Sequence, residues 1–458
     1  MADVFGTDGV RGVANVGAMS PEAAMAMGRA AAQVLTSRGQ GRGAPFVVGR
    51  DTRISGTMLE AALIAGLCSA GADVIQLGII PSGGVAHLTR RLQASAGIMV
   101  SASHNPYADN GIKFFSPSGA KIEPTAEQEI ETRLKELPDT SPRPTGHAVG
   151  RCRPCPSAQR HYADFLKSTF CGTLPVELRV GVDCANGAAS QVAPALFQEL
   201  GAEVWALNAS PDGVNINRHC GSLHPESLRE RVLAKNLDVG FALDGDADRL
   251  TVVDNTGQVL DGDNILAICA GMLAEGDQVP RTVVGTVMAN WGLKLALRLS
   301  NCALHVVPVG DRQVVQGMRK TGAVLGGEPS GHVIFSRHIE TSDGLITALQ
   351  LLRVMQKGPA SMAELARSFD RSPQVLANVK LVRRGDPMRI ERVRNAIERA
   401  ERELGESGRV LVRLSGTEPV ARVLLEGPEA SALTHLSADI CGAIEAELGA
   451  AGEPLSGC

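Results

Sequence analysis

Asp244-Gly-Asp-Ala-Asp248 sets three carboxylates at alternate positions of one short segment. Held that close, they repel one another unless a cation joins them, and an all-oxygen donor set suits a hard divalent ion such as Mg2+. An apolar run leads in (Val239 to Leu243) and another leads out (Leu250 to Val253), so the acids are held rigidly. An EF-hand is excluded, because the sixth position is Arg249 rather than Gly and the twelfth is Asn255 rather than Glu. Ser101-Ala-Ser-His-Asn-Pro106 presents two hydroxyls just past another apolar run, Gly97 to Val100. It lacks the GxSxG elbow of hydrolases, but a hydroxyl beside a divalent ion can accept and return a phosphoryl group. Arg413-Leu-Ser-Gly-Thr-Glu-Pro419 joins a cation, two hydroxyls and a Gly that lets backbone N–H groups approach an anion, with Arg422 close behind. That is the chemistry of a phosphate cradle without a Walker loop. Taken singly, each reads equally well as a solvated acidic turn, a Ser-capped loop and a plain turn between strands.

Further cations sit in Gly-containing turns: Arg11 in Gly6-Thr-Asp-Gly-Val-Arg-Gly12, and Arg50 and Arg53 in Gly49-Arg-Asp-Thr-Arg53. They can bind phosphate or anchor loops through ion pairs. Lys113, in Asn110-Gly-Ile-Lys-Phe-Phe115, follows the Ser loop and is flanked by apolar Ile112 and Phe114. It can move a proton or stabilise charge. Cys152-Arg-Pro-Cys155 has no second CxxC to complete a zinc set.

The elements that must carry these loops repeat three times. Phe46 to Gly49, a helix from Gly56 to Ala70, Asp73 to Leu77 and Gly97 to Val100 form the first unit. Arg179 to Val182, Gly187 to Leu200, Glu203 to Leu207 and Val239 to Leu243 form the second. Thr282 to Gly285, Trp291 to Leu299, Leu304 to Val307 and Ala323 to Leu325 form the third. Short β-rich runs alternating with helices predict α/β domains with mostly parallel sheets buried on both faces. The Ser loop, the Asp loop and Gly326-Gly-Glu-Pro-Ser-Gly-His332 follow the corresponding run in each unit. Ligands of open α/β sheets gather at such strand ends.

From about Ser372 the order changes to an apolar run (Val375 to Val382), a charged helix (Pro387 to Leu404), two strands around the Arg413 loop and a last helix near Leu436 to Leu448. Segregated strands and helices predict a smaller α+β domain. Polar and Pro-rich residues 138–156 are boundary material. The expected domains are 1–155, 156–257, 258–371 and 372–458, in keeping with 458 residues, more than one core usually supports.

A formal charge of −4, with no basic tract, argues against a nucleic-acid partner. No apolar run approaches the ~20 residues a membrane span needs, and the first residues do not read as a signal peptide. The ten Cys, scattered in apolar surroundings, read as reduced thiols, so a cytoplasmic protein is expected.

Phe5-Gly-Thr-Asp-Gly-Val-Arg-Gly12, the Ser101–Pro106 loop running into Asn110–Phe115, Asp244–Arg249, Gly327–His332 and Arg413–Pro419 together resemble the α-D-phosphohexomutase family, in its order and at its spacing over the whole chain. The opening segment, the form of the Ser loop and Val309-Gly-Asp-Arg312 resemble the branch acting on glucosamine phosphates. The resemblance implies four domains around a cleft and phosphorylation of Ser103. It implies one Mg2+ held by Asp244, Asp246, Asp248 and an oxygen of phospho-Ser103. Lys113 and Arg11 are the further catalytic candidates. Glu328, Ser330, His332, Arg249 and His104 would meet the sugar, and Arg413, Ser415, Gly416, Thr417 and Arg422 the non-reacting phosphate. The implied reaction interconverts glucosamine 6-phosphate and glucosamine 1-phosphate through bound glucosamine 1,6-bisphosphate, feeding UDP-N-acetylglucosamine synthesis. Homodimers are common in this family. Pro329 stands where Gln is usual in that branch, and Ala247 replaces the Gly of many members, a change expected to be harmless. The alternatives are a mannose- or glucose-phosphate mutase of the same family and a non-catalytic sugar-phosphate sensor.

Overall fold

The structure, a computed structural model, describes residues 5–6, 8–38, 43–136, 143–170, 172, 174–175, 177–273, 281–382, 385–414 and 419–449. The chain divides into two units, Met1–Ala289 with Leu297–Ser368, and Asn290–Ala296 with Phe369–Cys458.

The first unit holds three α/β sheets. In the first, the strand order is Val10–Val13, Asp109–Phe115, Ala96–Val100, Phe46–Arg50, Val74–Ile79 and Cys152–Pro154. Strands Ala96–Val100, Phe46–Arg50, Val74–Ile79 and Cys152–Pro154 run parallel, and the two at the other edge pair antiparallel. Helices Pro21–Arg38 and Gly56–Ser69 cover one face, where Met27, Leu59 and Leu63 meet Phe46, Val48 and Ile98 in a closed core. Helix Ser82–Arg91 lies on the other face, its Val85 against Gly49 and Gly97. The second sheet runs Val259–Leu260, Leu250–Asp254, Val239–Leu243, Arg179–Asp183 and Glu203–Leu207. The third runs Ala303–Val307, Thr282–Thr286, Leu325–Gly327 and Val333–Phe335. Their central pairs are parallel as well. Ala96–Val100 and Val239–Leu243 are buried along their whole length, as strands covered on both faces must be.

In all three sheets a parallel strand turns back into an antiparallel neighbour, so the sheets are mixed at that edge. Val100 pairs with Ile112, Leu243 with Leu250, and Gly327 with Val333. The Ser, Asp and Glu328 loops are thus the tips of three equivalent hairpins.

In this unit some element limits differ from expectation. The last strand of the third unit is Leu325–Gly327 rather than Ala323 to Leu325, because ladders on both sides hold two glycines of low strand propensity. The helix expected from Gly187 begins at Val192, and Gly187 lies in a turn against the backbone of Gly245. Cys152–Pro154, within the expected boundary material, extends the first sheet.

In the second unit an antiparallel sheet, ordered Gln374–Lys380, Val420–Glu426, Arg409–Leu414, packs with helices Glu391–Leu404 and Ala430–Leu448. Val393, Ile397, Ala400, Ile440 and Ile444 close its core on Val379, Val423 and Leu425. The final helix begins at Ala430, earlier than the periodicity alone marks. Among the described residues, no helix is long and apolar enough to cross a membrane.

Candidate active site

Ser103 is fully buried and has a φ of +53°, so the chain leaves strand geometry there. That conformation costs an L-residue about 1–2 kcal/mol and persists only where neighbours hold it. The holders are on either side of the loop. Ser103 N–H donates to Ser101 Oγ at 3.0 Å, and Ser101 Oγ donates to Asp51 Oδ2 at 2.6 Å. Arg53, 1% exposed, pairs with Asp51 and donates to the carbonyls of Ser103 (2.9 Å), Asn105 (2.8 Å) and Pro106 (2.5 Å). Asn217 Nδ2 reaches the Ser103 and Asn105 carbonyls at 2.8 and 3.0 Å. The Arg53 turn therefore anchors a loop, one of the two uses open to it in sequence.

The Asp loop approaches so closely that a Cβ on Gly245 would sit 2.5 Å from the Ser103 carbonyl oxygen. Asp244 Oδ2 accepts from Ser103 Oγ at 2.5 Å. Asp244, Asp246 and Asp248 each bring an oxygen within 4.8 Å of the others. Ala247 has a φ of +58°, a left-handed conformation that Gly adopts freely and that costs Ala about 1 kcal/mol.

Cations meet these acids on one side. Lys113 Nζ lies 2.8 Å from Asp246 Oδ2, 2.9 Å from Asp248 Oδ2 and 3.2 Å from Asp8 Oδ2. Lys121 bridges Asp8 (2.5 Å) and Asp311 (3.2 Å), and His332 lies 3.2 Å from Asp248 and 3.5 Å from Asp311. Burial opposes the charge on Lys113, yet Asp246, Asp248 and Asp8 hold it well above the ordinary lysine range. Burial likewise opposes His332, but Asp311 and Asp248 push it up to about 10. The imidazolium then donates to acids from both ring nitrogens, which leaves Arg249 Nε, 3.0 Å away, no lone pair to bond. His104 Nδ1 is 3.5 Å from Ser103 Oγ, and burial with Arg249 and Arg11 nearby lowers it to about 4, so it is neutral at pH 7.

The acids fit a divalent cation. Burial and the adjacent Asp248 and Asp246 raise Asp244, whereas Lys113, His332 and Arg249 overcome burial and hold Asp248 well below the carboxylate range. Asp246 Oδ1 is buried with no hydrogen-bond partner. A raised, crowded carboxyl and an orphaned carboxylate oxygen are both relieved by a cation among hard oxygen donors.

Ser103, Lys113, the three Asp, Arg249, His332 and His104 therefore come together as the sequence suggests. Glu328 and Ser330 join them through His332, at 3.4 and 3.2 Å, and Glu328 Oε1 accepts from Gly310 N–H. Arg11 pairs with Asp8, which contacts Lys113. In the second unit Arg413 and Arg422 stand directly opposite on paired strands. Ser415, Gly416 and Thr417 lie outside the described residues. Sequence reading missed Asp8, Lys121, Asp311, Ser82 and Asn217. Asp8 and Asp311 were in quoted motifs, and the Gly83-Gly84 pair after Pro81 signalled a close approach beside Ser82.

A buried Ser hydroxyl against a buried Asp triad, carried on three like α/β sheets, is an arrangement suited to phosphoryl transfer on a sugar phosphate. The Phosphoglucomutase/phosphomannomutase family matches in four consecutive pieces: alpha/beta/alpha domain I at residues 2–140, II at 160–257, III at 261–371 and the C-terminal domain at 376–443. The chain belongs to that family. Among its relatives is a phosphoglucosamine mutase of Symbiobacterium thermophilum, 50% identical over 449 residues, which are 98% of this chain and 100% of that protein. A phosphoglucomutase/phosphomannomutase family protein of Burkholderia thailandensis has a similar crystal structure, with TM-score 0.80, 27% identity and 97% of each chain covered. The N-acetylphosphoglucosamine mutase of Aspergillus fumigatus, solved with GlcNAc-6P and magnesium, shares the fold at TM-score 0.65 and 16% identity, covering 96% of this chain and 95% of that one.

Proposed function

We propose that the chain interconverts glucosamine 6-phosphate and glucosamine 1-phosphate through a phosphorylated Ser103 and a glucosamine 1,6-bisphosphate intermediate. The observation that carries this reading is Ser103 Oγ, buried and 2.5 Å from Asp244 at the mouth of the acid cluster. The near full-length relatives named phosphoglucosamine mutase support the choice of sugar.

In the loaded enzyme the phosphoryl group is on Ser103. The substrate's O1 hydroxyl attacks phosphorus, the new P–O1 bond forms as the P–Oγ bond breaks, and the hydroxyl proton leaves to a base. His104, neutral and beside Ser103 Oγ, suits proton transfer at that oxygen. Lys113 is locked as an ammonium by three carboxylates, so its part is charge stabilisation rather than proton abstraction. Asp244, Asp246, Asp248 and a phosphoserine oxygen would hold Mg2+, which would neutralise charge on the phosphoryl oxygens. The bisphosphate then turns over, and its O6 phosphoryl group returns to Ser103 by the same bond exchange. Glu328 and Ser330 orient the ring hydroxyls. Arg413 and Arg422, like charges that repel at paired strand positions unless an anion joins them, hold the other phosphate together with Ser415, Gly416 and Thr417.

We expect a cytoplasmic protein; a homodimer is compatible with this reading, and sedimentation of the purified chain measures the oligomeric state. The function is tested by turnover of glucosamine, glucose and mannose 6-phosphates with a trace of the matching bisphosphate. Glucosamine 6-phosphate should have the highest kcat/KM. A preference for mannose or glucose assigns the chain to the other branches. No turnover of any, with Ser103 never phosphorylated, points to a sensor.

A further inference from the structure

Asp246 has one carboxylate oxygen that is saturated and one that is bare. Oδ2 accepts from Ser82 Oγ at 2.6 Å and from Lys113 Nζ at 2.8 Å, while Oδ1 is buried without a partner. Ser82 is the first residue of helix Ser82–Arg91, set by Pro81 just beyond strand Val74–Ile79, and it is 2% exposed. Its backbone N–H also donates to the Asp246 carbonyl at 3.0 Å, so residue 82 holds residue 246 at two points. The helix start has no room to withdraw sideways: a Cβ on Gly83 would sit 1.9 Å from Asp343 Oδ2.

We propose that Ser82 is a positioning residue for the metal, through Asp246. Its hydroxyl, with Lys113, occupies Oδ2 and so presents Oδ1 alone to the ion. Lys113 cannot set the carboxylate's rotation by itself, because it is shared with Asp248 and Asp8. The hydroxyl adds the second direction that fixes it. A one-oxygen carboxylate ligand in a rigid frame favours Mg2+, which demands near-octahedral geometry, over Ca2+, which accepts two-oxygen carboxylates and more ligands. Outer hydrogen bonds of this kind commonly change metal affinity about 10–100-fold. The inference rests on the reading of the Asp triad as a metal site.

The test is direct Mn2+ binding to the full-length, dephosphorylated chain, followed by electron paramagnetic resonance of the free ion, with Mg2+ and Ca2+ as competitors. Wild type should bind one Mn2+ that Mg2+ displaces. Ser82→Ala should raise the Mn2+ Kd about tenfold or more and narrow the preference for Mg2+ over Ca2+, while the sugar-phosphate KM at saturating Mg2+ stays unchanged. Ser82→Thr, which keeps the hydroxyl, should bind within about twofold of wild type. Ser82→Cys, which fills the space with a weak donor, should also bind weakly and stands in should the Ala variant not fold. A wild-type Kd in both Ser82→Ala and Ser82→Cys overturns the proposal and leaves the metal site intact. Absence of Mn2+ binding by wild type overturns the metal site itself, and the proposal with it.

Discussion

Ser101 and Ser103 lie two residues apart and have separable roles that one pair of variants resolves. Ser101→Ala removes the atom that accepts from Ser103 N–H at 3.0 Å and donates to the buried Asp51 at 2.6 Å. The first loss leaves a buried N–H unpaired, which costs about 1–3 kcal/mol, and the second removes a charge-assisted bond of about 1.5–3 kcal/mol. Both pass through one oxygen and are not additive. The expected destabilisation is therefore about 2–4 kcal/mol. Arg53 and Asn217 still hold the Ser103 carbonyl at 2.9 and 2.8 Å, so the loop keeps its course. Turnover should fall about tenfold, short of the ~10²-fold that an ångström of misplacement can cost. Ser103→Ala deletes only the Oγ contacts with Asp244 and His104, so stability should change by about 1 kcal/mol or less while nearly all turnover is lost. Urea unfolding and steady-state kinetics measure the two axes, and peptide mapping by mass spectrometry should find phosphate on Ser103 in the Ser101→Ala protein. Equal loss of activity in both variants, or an unchanged midpoint for Ser101→Ala, refutes this account of the loop.

Asp246→Asn should lower kcat about a hundredfold or more, as loss of an electrostatic stabiliser often does. Full activity in EDTA contradicts the metal reading behind it. Arg413→Ala should raise KM for both monophosphates more than it lowers kcat, with Ser103 still phosphorylated, since a distant phosphate contributes largely uniform binding; a normal KM makes that strand pair structural. Burial raises Asp343 to about 6 in spite of hydrogen bonds from Tyr162 and from the N–H groups of Ile346 and Leu345. A carboxyl raised in the folded state binds its proton more tightly there, so its stabilising share is full below about pH 4 and is lost as pH rises through about 6, roughly 3 kcal/mol in all. Asp343→Asn keeps an acceptor for the helix cap and should gain on wild type by about that amount between pH 4 and pH 7 in urea unfolding. A difference that does not vary with pH removes Asp343 from the linkage.

Much of the fold was legible because its signals are local. Whole-strand burial writes continuous apolar runs such as Val239 to Leu243, and the three hairpin tips interrupt them with Ser, Asp and Glu loops. Strand alternation, however, would set Ser101 and Ser103, two residues apart, on the same face. The backbone instead turns to positive φ at Ser103, and Ser101 becomes part of its support. The Arg53 turn was open between phosphate binding and loop anchoring until the third dimension set its guanidinium on three carbonyls of the Ser loop. Ser82 carries no catalytic signature in sequence, since its partner is 164 residues away.

The charges around the acid loop show why the rest could not be read along the chain. Lys113, Asp8, Lys121, Asp311, His332 and Asp248 form a closed ring in which each cation lies between two acids and each acid between two cations. The six come from the strands, helices and loops around three different sheets, and no two are adjacent in sequence. With His332 as imidazolium, the ring's three positive and three negative charges cancel. Asp244 and Asp246 stand outside that balance: Asp246 borrows Lys113 from the ring, and Arg249 is 4.0 Å from Asp244. Asp244, raised by burial and by Asp248 and Asp246, and Asp246, with its bare oxygen, add negative charge that Arg249 offsets only in part, and a cation relieves the rest. Asp248 belongs both to the ring and to the acid triad, so the ring fixes one member of that triad while Asp244 and Asp246 face Ser103 and Ser82.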